Sequence, residues 1–471
     1  MSSELDLFCL FQTIDEHPDP ISAEVKDNLP SWLTGTLIRN GPGRYECGDT
    51  SSNHWFDGQG LLHRFHIQNG HVTYSNKFIR SESYADSLKH GESIHLEFGS
   101  FIPPDPCQNI FRRFFSRFWA DEVPFDNTLI NVFPMKDKIY ATTESNFLFE
   151  INPETLDTLK RIDITKEYPG DTTINSATAH PHQTPDGSVI NISITHGQIS
   201  TYNIIQIPPS SGKPDERPLD GGKVLCSIRP TGGTGYMHSF CLTENYVVVT
   251  GAPLIMNVWR ILTHRFFGSC VCDWFYWDES QPAKFHVVDR KQGTHLGIFT
   301  AEPFLAFHHV NAFEKDSKIH LDACCYHGSS IMSQFYLHNL RSPRGPGEQK
   351  FDVPDVRRYE LPLEDLGDVE PGTPLPKGAD GLDYTLLYSG MDLPRFNYSE
   401  KNGKPYKFVY GVGGEDEALF SLLVKLNVET KEFVTWKEPR GFVSEPVFVK
   451  VPDGKEEDDG VVLSCVINIT D

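Results

Sequence analysis

Three histidines stand where an imidazole needs a partner. His180 in ATAHPHQTPDG, His238 in GYMHSFCLTENYVVV and His308 in AFHHVNAFE each adjoin apolar or strand-forming residues, and burial there penalises an unpaired polar ring. A shared metal ion would satisfy all three at once. An all-nitrogen set suits Fe(II), Zn or Cu, so residue type does not choose between them. The ordinary alternative is a set of unrelated core or surface histidines among the 19 in the chain.

A metal-bound imidazole usually gives its other N–H to a carboxylate or a carbonyl, which fixes the ring. Three acids sit in similarly apolar company: Glu144 in TTESNF, Asp392 in GMDLPRFNY and Glu445 in VSEPVFV. Taken one at a time, each reads as a solvated acid or a turn-closing side chain. Together they form a candidate outer layer around the histidines.

The elements that must position these side chains are strands. LLHRFHIQNGHVTYSNKF, FLFEINPETLDTLKRIDI, FHVVDRKQGTHLGIF and LLVKLNVETKEFVTW each place turn residues between two β-rich arms, which predicts hairpins. Hairpins recurring over a long chain without long periodic helices favour radial repetition, because a propeller protects edges that an open sheet exposes. Two segments break the rhythm. NIFRRFFSRFW (Asn109 to Trp119) and PLIMNVWRILTHRFFGSCVCDWFYW (Pro253 to Trp277) mix bulky apolar residues with Arg. Each reads either as a face packed on a core or as a membrane-surface element.

Composition bounds the rest. The chain has 471 residues, 38% hydrophobic and 12% aromatic, with 32 Phe, which supports a large core. A formal charge of -22 argues against nucleic acid as a partner. Ten scattered cysteines show no framework spacing and suit reduced thiols. The N-terminus carries acids where a signal peptide carries bases, and no apolar run is long enough to span a bilayer. These features predict a cytoplasmic protein.

Further motifs carry a family resemblance. LTGTLIRNGPGRYECGD, NHWFDGQGLLHRF, FGSFIPPDPCQNIFRRFFSRF, ATAHPH, MHSFCLTENYVV, FHHVNAFE, LPRFNYSEKNGKPYKFVYG, SEPVFV and EEDDGVVLS occur in order along nearly the whole chain. The sequence resembles the carotenoid cleavage oxygenases, a family that includes the animal β-carotene oxygenases and the retinoid isomerohydrolase of the retinal pigment epithelium. The resemblance implies an all-β fold: one domain over residues 1–471, a seven-bladed β-propeller with a helical and loop cap over an axial metal site. It implies Fe(II) held by four histidines, three of which match His180, His238 and His308. Glu144, Asp392 and Glu445 match the acids behind the ligands, which are normally all Glu. Asp392 therefore departs from the pattern, and its shorter side chain is expected to loosen its ligand or admit a water bridge. His182 and His309 are expected to be structural neighbours. Phe98 and Tyr236 match tunnel-wall positions, with ordinary core packing as the alternative.

The family's fourth ligand lies near the C-terminus, whereas the last histidine of this sequence is His338. A three-imidazole site and a C-terminally incomplete propeller are therefore expected. The function implied is oxidative cleavage of one double bond of a carotenoid or apocarotenoid by O2, giving aldehydes. Two alternatives remain: retinoid isomerohydrolysis, with the iron acting as a Lewis acid, and carotenoid or lipid binding without turnover. A water-insoluble substrate also strengthens the membrane-surface reading of Asn109 to Trp119, beside which Cys107 is placed to carry an acyl chain.

Overall fold

The computed structural model describes residues 7–91, 97–100, 125–197, 200–267, 269–342, 351–366, 381–415 and 418–469. All four expected hairpins form. They pair Gln59–Gln68 with His71–Phe78, Phe147–Ile151 with Thr158–Asp163, Ala283–Asp289 with Thr294–Ala301, and Ala418–Asn427 with Phe433–Trp436. In the first, Asn69 and Gly70 both take positive φ, as a tight two-residue turn requires.

These hairpins belong to six antiparallel sheets that follow one another along the chain. The first runs, edge to edge, through Ile21–Ser22, His71–Phe78, Gln59–Gln68 and Gly35–Arg44. Each later sheet is a simple meander, and these open on Asn131–Met135, Ser176–Ala177, Cys241–Leu242, His309–Lys315 and Met391–Arg395. The third carries one extra short strand, His182–Gln183.

Apolar side chains fill the gaps between consecutive sheets, which is what a ring of radially stacked sheets requires. Leu62 meets Phe149 and Ile151 between the first and second. Tyr140 and Ile162 meet Val189 and Ile205 between the second and third. Ile190, Ile192 and Ile204 pack on Val247 and Val249, Phe285 and Phe299 on Leu321 and Tyr359, and Cys324 and Val356 on Val409 and Val424. Strands buried on both faces read as near-continuous apolar runs, as in the Val247–Val249 triplet.

The expected seventh blade is not a full sheet. Among the described residues, Gly441–Val443 pairs with Val466–Asn468 and Val447–Lys450 with Gly460–Leu463. These are the two halves of one long hairpin, interrupted around Ser444 to Pro446, where proline lacks a ladder donor. A stretch that folds back once supplies two strands, not four. The count is therefore six blades and a hairpin. That hairpin packs against Ala418–Asn427 of the sixth sheet, and its Glu445 carbonyl accepts from Arg39 Nη1 of the first at 2.7 Å.

The expected helical cap is not seen as a unit among the described residues. Among the described residues only Glu82–His90 and Val258–Phe267 exceed five residues as helices. Within Pro253 to Trp277, Leu254–Met256 pairs with Phe275–Trp277, and the helix Val258–Phe267 rises between them. Leu254 and Ile255 are buried while Trp259 is 76% exposed, so the segment both packs inward and presents an aromatic outward. Cys107 and the stretch from Asn109 to Trp119 lie outside the described residues. No helix among the described residues is long and apolar enough to cross a membrane.

Candidate metal centre

His180, His238 and His308 all lie beside the first strand of a sheet. His180 follows Ser176–Ala177, His238 precedes Cys241–Leu242, and His308 precedes His309–Lys315. The backbone at each point is tied from a neighbouring element. The Ala179 carbonyl accepts from Asn131 Nδ2 and Thr142 Oγ1, the Gly235 carbonyl from Tyr202 Oη, and the His308 carbonyl from the Cys324 amide.

The three imidazoles converge, each offering one nitrogen within 4.8 Å of the others'. His180 Nε2 lies 2.9 Å from His238 Nε2. Ring centroids are 4.5, 5.0 and 5.5 Å apart for the pairs 180–238, 238–308 and 180–308. Two donors bound at right angles to one ion, with bonds near 2.1 Å, stand about 3 Å apart, so the spacing fits a shared metal.

Acids behind the rings set the tautomers. His238 Nδ1 lies 2.5 Å from Glu144 Oε1, and the same carboxylate accepts from Tyr236 Oη at 3.0 and 2.9 Å. His308 Nδ1 lies 2.7 Å from Asp392 Oδ1, while Tyr326 Oη donates to Oδ2 at 2.8 Å. Carboxylates that already accept from tyrosine take the imidazole Nδ1–H, which leaves Nε2 of both rings as bare lone pairs. Burial, then the neighbouring His238 and His308, holds His180 well below the usual imidazole range, so this ring is neutral, whereas for His308 burial is outweighed by Asp392, which raises it. For Asp392, burial works against ionisation, but His308 and the donors on its oxygens keep the carboxyl below its ordinary value.

The shorter Asp392 side chain reaches His308 directly, without a bridging water. Glu445 is placed otherwise. Its carboxylate lies 3.8 Å from Arg395 Nε, in the break of the C-terminal hairpin, and among the described residues no hydrogen bond joins it to the three imidazoles. Tyr236, read as tunnel wall, has its hydroxyl on Glu144. Phe98 is buried against His54 and Phe56, in the aromatic cluster that also holds Tyr236, Phe307 and Tyr326. Tyr326 escaped sequence reasoning, for CCYHG carries no signal beyond a core tyrosine.

The second histidines of the two doublets are clamps. Ser239 Oγ donates to the Phe307 carbonyl at 2.7 Å, so it must accept from His309 Nδ1 at 2.8 Å, and Thr250 Oγ1 then donates to Nε2 at 2.7 Å. His182 Nε2 donates to the Phe240 carbonyl at 3.0 Å and Nδ1 accepts from Tyr398 Oη at 2.8 Å. Both rings span adjacent sheets beside the centre.

Comparison with known proteins agrees with this architecture. The profile of the family described as retinal pigment epithelial membrane protein (RPE65) matches residues 10–471. A mitochondrial carotenoid-cleaving dioxygenase of Mustela putorius furo is 37% identical, over 97% of this chain and 88% of its own length. The β,β-carotene 15,15'-dioxygenase of Gallus gallus is also 37% identical, over 96% of this chain and 89% of its own. In fold, the chain superposes on cobalt-substituted Synechocystis apocarotenoid oxygenase with a TM-score of 0.75 at 24% identity, covering 98% of this chain and 90% of that one. A chimera of that oxygenase with RPE65 gives 0.76 at the same identity and coverage. This chain therefore belongs to the retinal pigment epithelial membrane protein family.

Proposed function

We propose that this protein is a ferrous-iron dioxygenase that cleaves one double bond of a carotenoid or apocarotenoid, the two oxygens of O2 becoming the carbonyls of two aldehyde products. The observation that carries the reading is the convergence of three imidazoles from three sheets beside a dense aromatic cluster. Family membership alongside named carotenoid dioxygenases supports it.

His180, His238 and His308 would hold the iron, which supplies O2 activation when bound. Glu144 and Asp392 keep protons on the Nδ1 atoms of His238 and His308, so that Nε2 stays a ligand. Phe98, Phe307, Phe335 and Tyr236 belong to one buried apolar cluster that adjoins His238 and His308. Such a wall excludes water and grips a polyene at fixed depth, and that depth chooses the bond. The exposed Trp259, next to buried Leu254 and Ile255, supports a seat on a membrane surface, from which an insoluble substrate enters without crossing water.

Aerobic incubation of the iron-loaded protein with β-carotene, with products identified by mass, tests the reading. Aldehydes carrying oxygen from labelled O2 are expected. Intact pigment that stays bound under air would make this a binding protein instead. A cis-retinol released from an all-trans-retinyl ester without O2 would make it an isomerohydrolase.

A further inference from the structure

The sixth sheet carries a shortened acid that nonetheless reaches its ligand. Asp has one methylene fewer than Glu, a deficit of about 1.5 Å. Three features around Asp392 hold it on His308.

The first is a bulge. On the strand Met391–Arg395, Asp392 pairs with Val412 and Arg395 with Tyr410, so three steps on one strand oppose two on the other. A bulge re-aims the side chain beside it. The second is the backbone inside that bulge. Leu393 sits at φ +52, a left-handed conformation unfavourable for leucine, and its amide donates to Asp392 Oδ1 at 2.8 Å. Opposite lies Gly411, where a Cβ would come within 2.5 Å of Met391 Cγ and 2.9 Å of the Asp392 carbonyl, so only glycine admits the displaced strand.

The third is Tyr326. Its backbone is fixed to Leu305 in both directions, at 2.7 and 3.0 Å, and its ring is 5% exposed. The hydroxyl donates to Asp392 Oδ2 at 2.8 Å, leaving Oδ1 to His308. The carboxylate thus accepts from Tyr326 on Oδ2, from the Leu393 amide and His308 Nδ1 on Oδ1, and also bonds the Cys324 thiol, so its orientation is fixed by donors around it.

We propose that Tyr326 is a positioning residue for His308, and that the bulge at Leu393 with Gly411 commits this site to aspartate, so that restoring the longer glutamate weakens the centre. Lengthening the acid would push its oxygens into the space held by the His308 ring and the Tyr326 hydroxyl. Removing that hydroxyl would free a buried carboxylate oxygen to rotate away. This inference rests on the metal-centre reading above.

The test is cobalt binding to the full chain, with Co2+ alone as probe, reading affinity by titration and geometry by the ligand-field absorption spectrum. Wild type should bind one Co2+. Tyr326→Phe and Asp392→Glu should each bind roughly 10- to 100-fold more weakly, with a changed spectrum. Tyr326→Phe within twofold of wild type, with the same spectrum, would overturn the positioning role. Asp392→Glu binding as tightly as wild type would overturn the commitment to aspartate. Wild type that takes up no cobalt would overturn the metal centre itself and this inference with it. Should Tyr326→Phe not fold, Tyr326→His and Tyr326→Leu replace it: the first keeps a donor for Asp392 and should weaken cobalt binding less than the second, and equal binding by both would overturn the positioning role.

Discussion

His180 Nε2 and His238 Nε2 stand 2.9 Å apart although their rings come from neighbouring sheets. Two neutral imidazoles face nitrogen to nitrogen for one of two reasons: one N–H donates to the other, or both lone pairs share a cation. Glu144 draws the His238 proton to Nδ1, which makes His238 Nε2 an acceptor or a ligand and nothing else. Replacing His180, His238 or His308 singly with Ala should therefore lower bound iron to roughly a tenth of wild type or less and remove turnover, as elemental analysis of each variant will read.

Glu144→Gln substitutes an amide that can present N–H as well as C=O to His238. The Nδ1 proton is then no longer enforced, and metal affinity should fall roughly 10- to 100-fold. Thermal unfolding should move far less than metal content, because the glutamine keeps the volume and a bond to Tyr236.

His309 makes a different prediction. His309→Ala leaves Thr250 Oγ1 and Ser239 Oγ short of a buried partner and opens a gap between the fourth and fifth sheets. A loss of about 2–4 kcal/mol is expected in denaturant unfolding. Iron content of the folded fraction should stay near wild type.

Gly411→Ala forces a methyl onto Met391 Cγ and Sδ, at 2.5 and 2.7 Å, and onto the Asp392 carbonyl. Overpacking of this kind costs about 1–3 kcal/mol. Because the strain falls on the bulge behind His308, cobalt affinity should drop as well, whereas Gly70→Ala, at a turn with open space around it, should leave cobalt binding alone.

Stability should fall on mild acidification through buried histidines other than the three converging ones. Burial pushes His54 down to about 4, against a rise from its bond to the Met332 carbonyl, and burial and then Arg39 push His63 down to about 4. A histidine depressed in the folded state binds its proton more readily when unfolded, so its contribution is full above pH 6.5 and is lost as pH falls from there toward 4. Melting temperature should decline across that window, and the decline should shrink in His63→Gln.

The sequence alone determined the architecture in outline, because β-rich arms and the turn residues between them, Asn or Asp with Gly or Asn with Glu-Thr, are local. It also marked His180, His238 and His308, since a polar ring inside an apolar run is conspicuous whatever surrounds it. Blade number was not legible. Whether the stretch from Gly441 to Asn468 becomes two strands or four depends on pairings that close only in three dimensions. Nor was the fate of the acids legible: Glu445 and Asp392 look alike as isolated carboxylates, yet one lies by Arg395 and the other on His308. That difference arises from a bulge, a left-handed leucine and a tyrosine 66 residues away, which meet Asp392 only when the fifth and sixth sheets pack together.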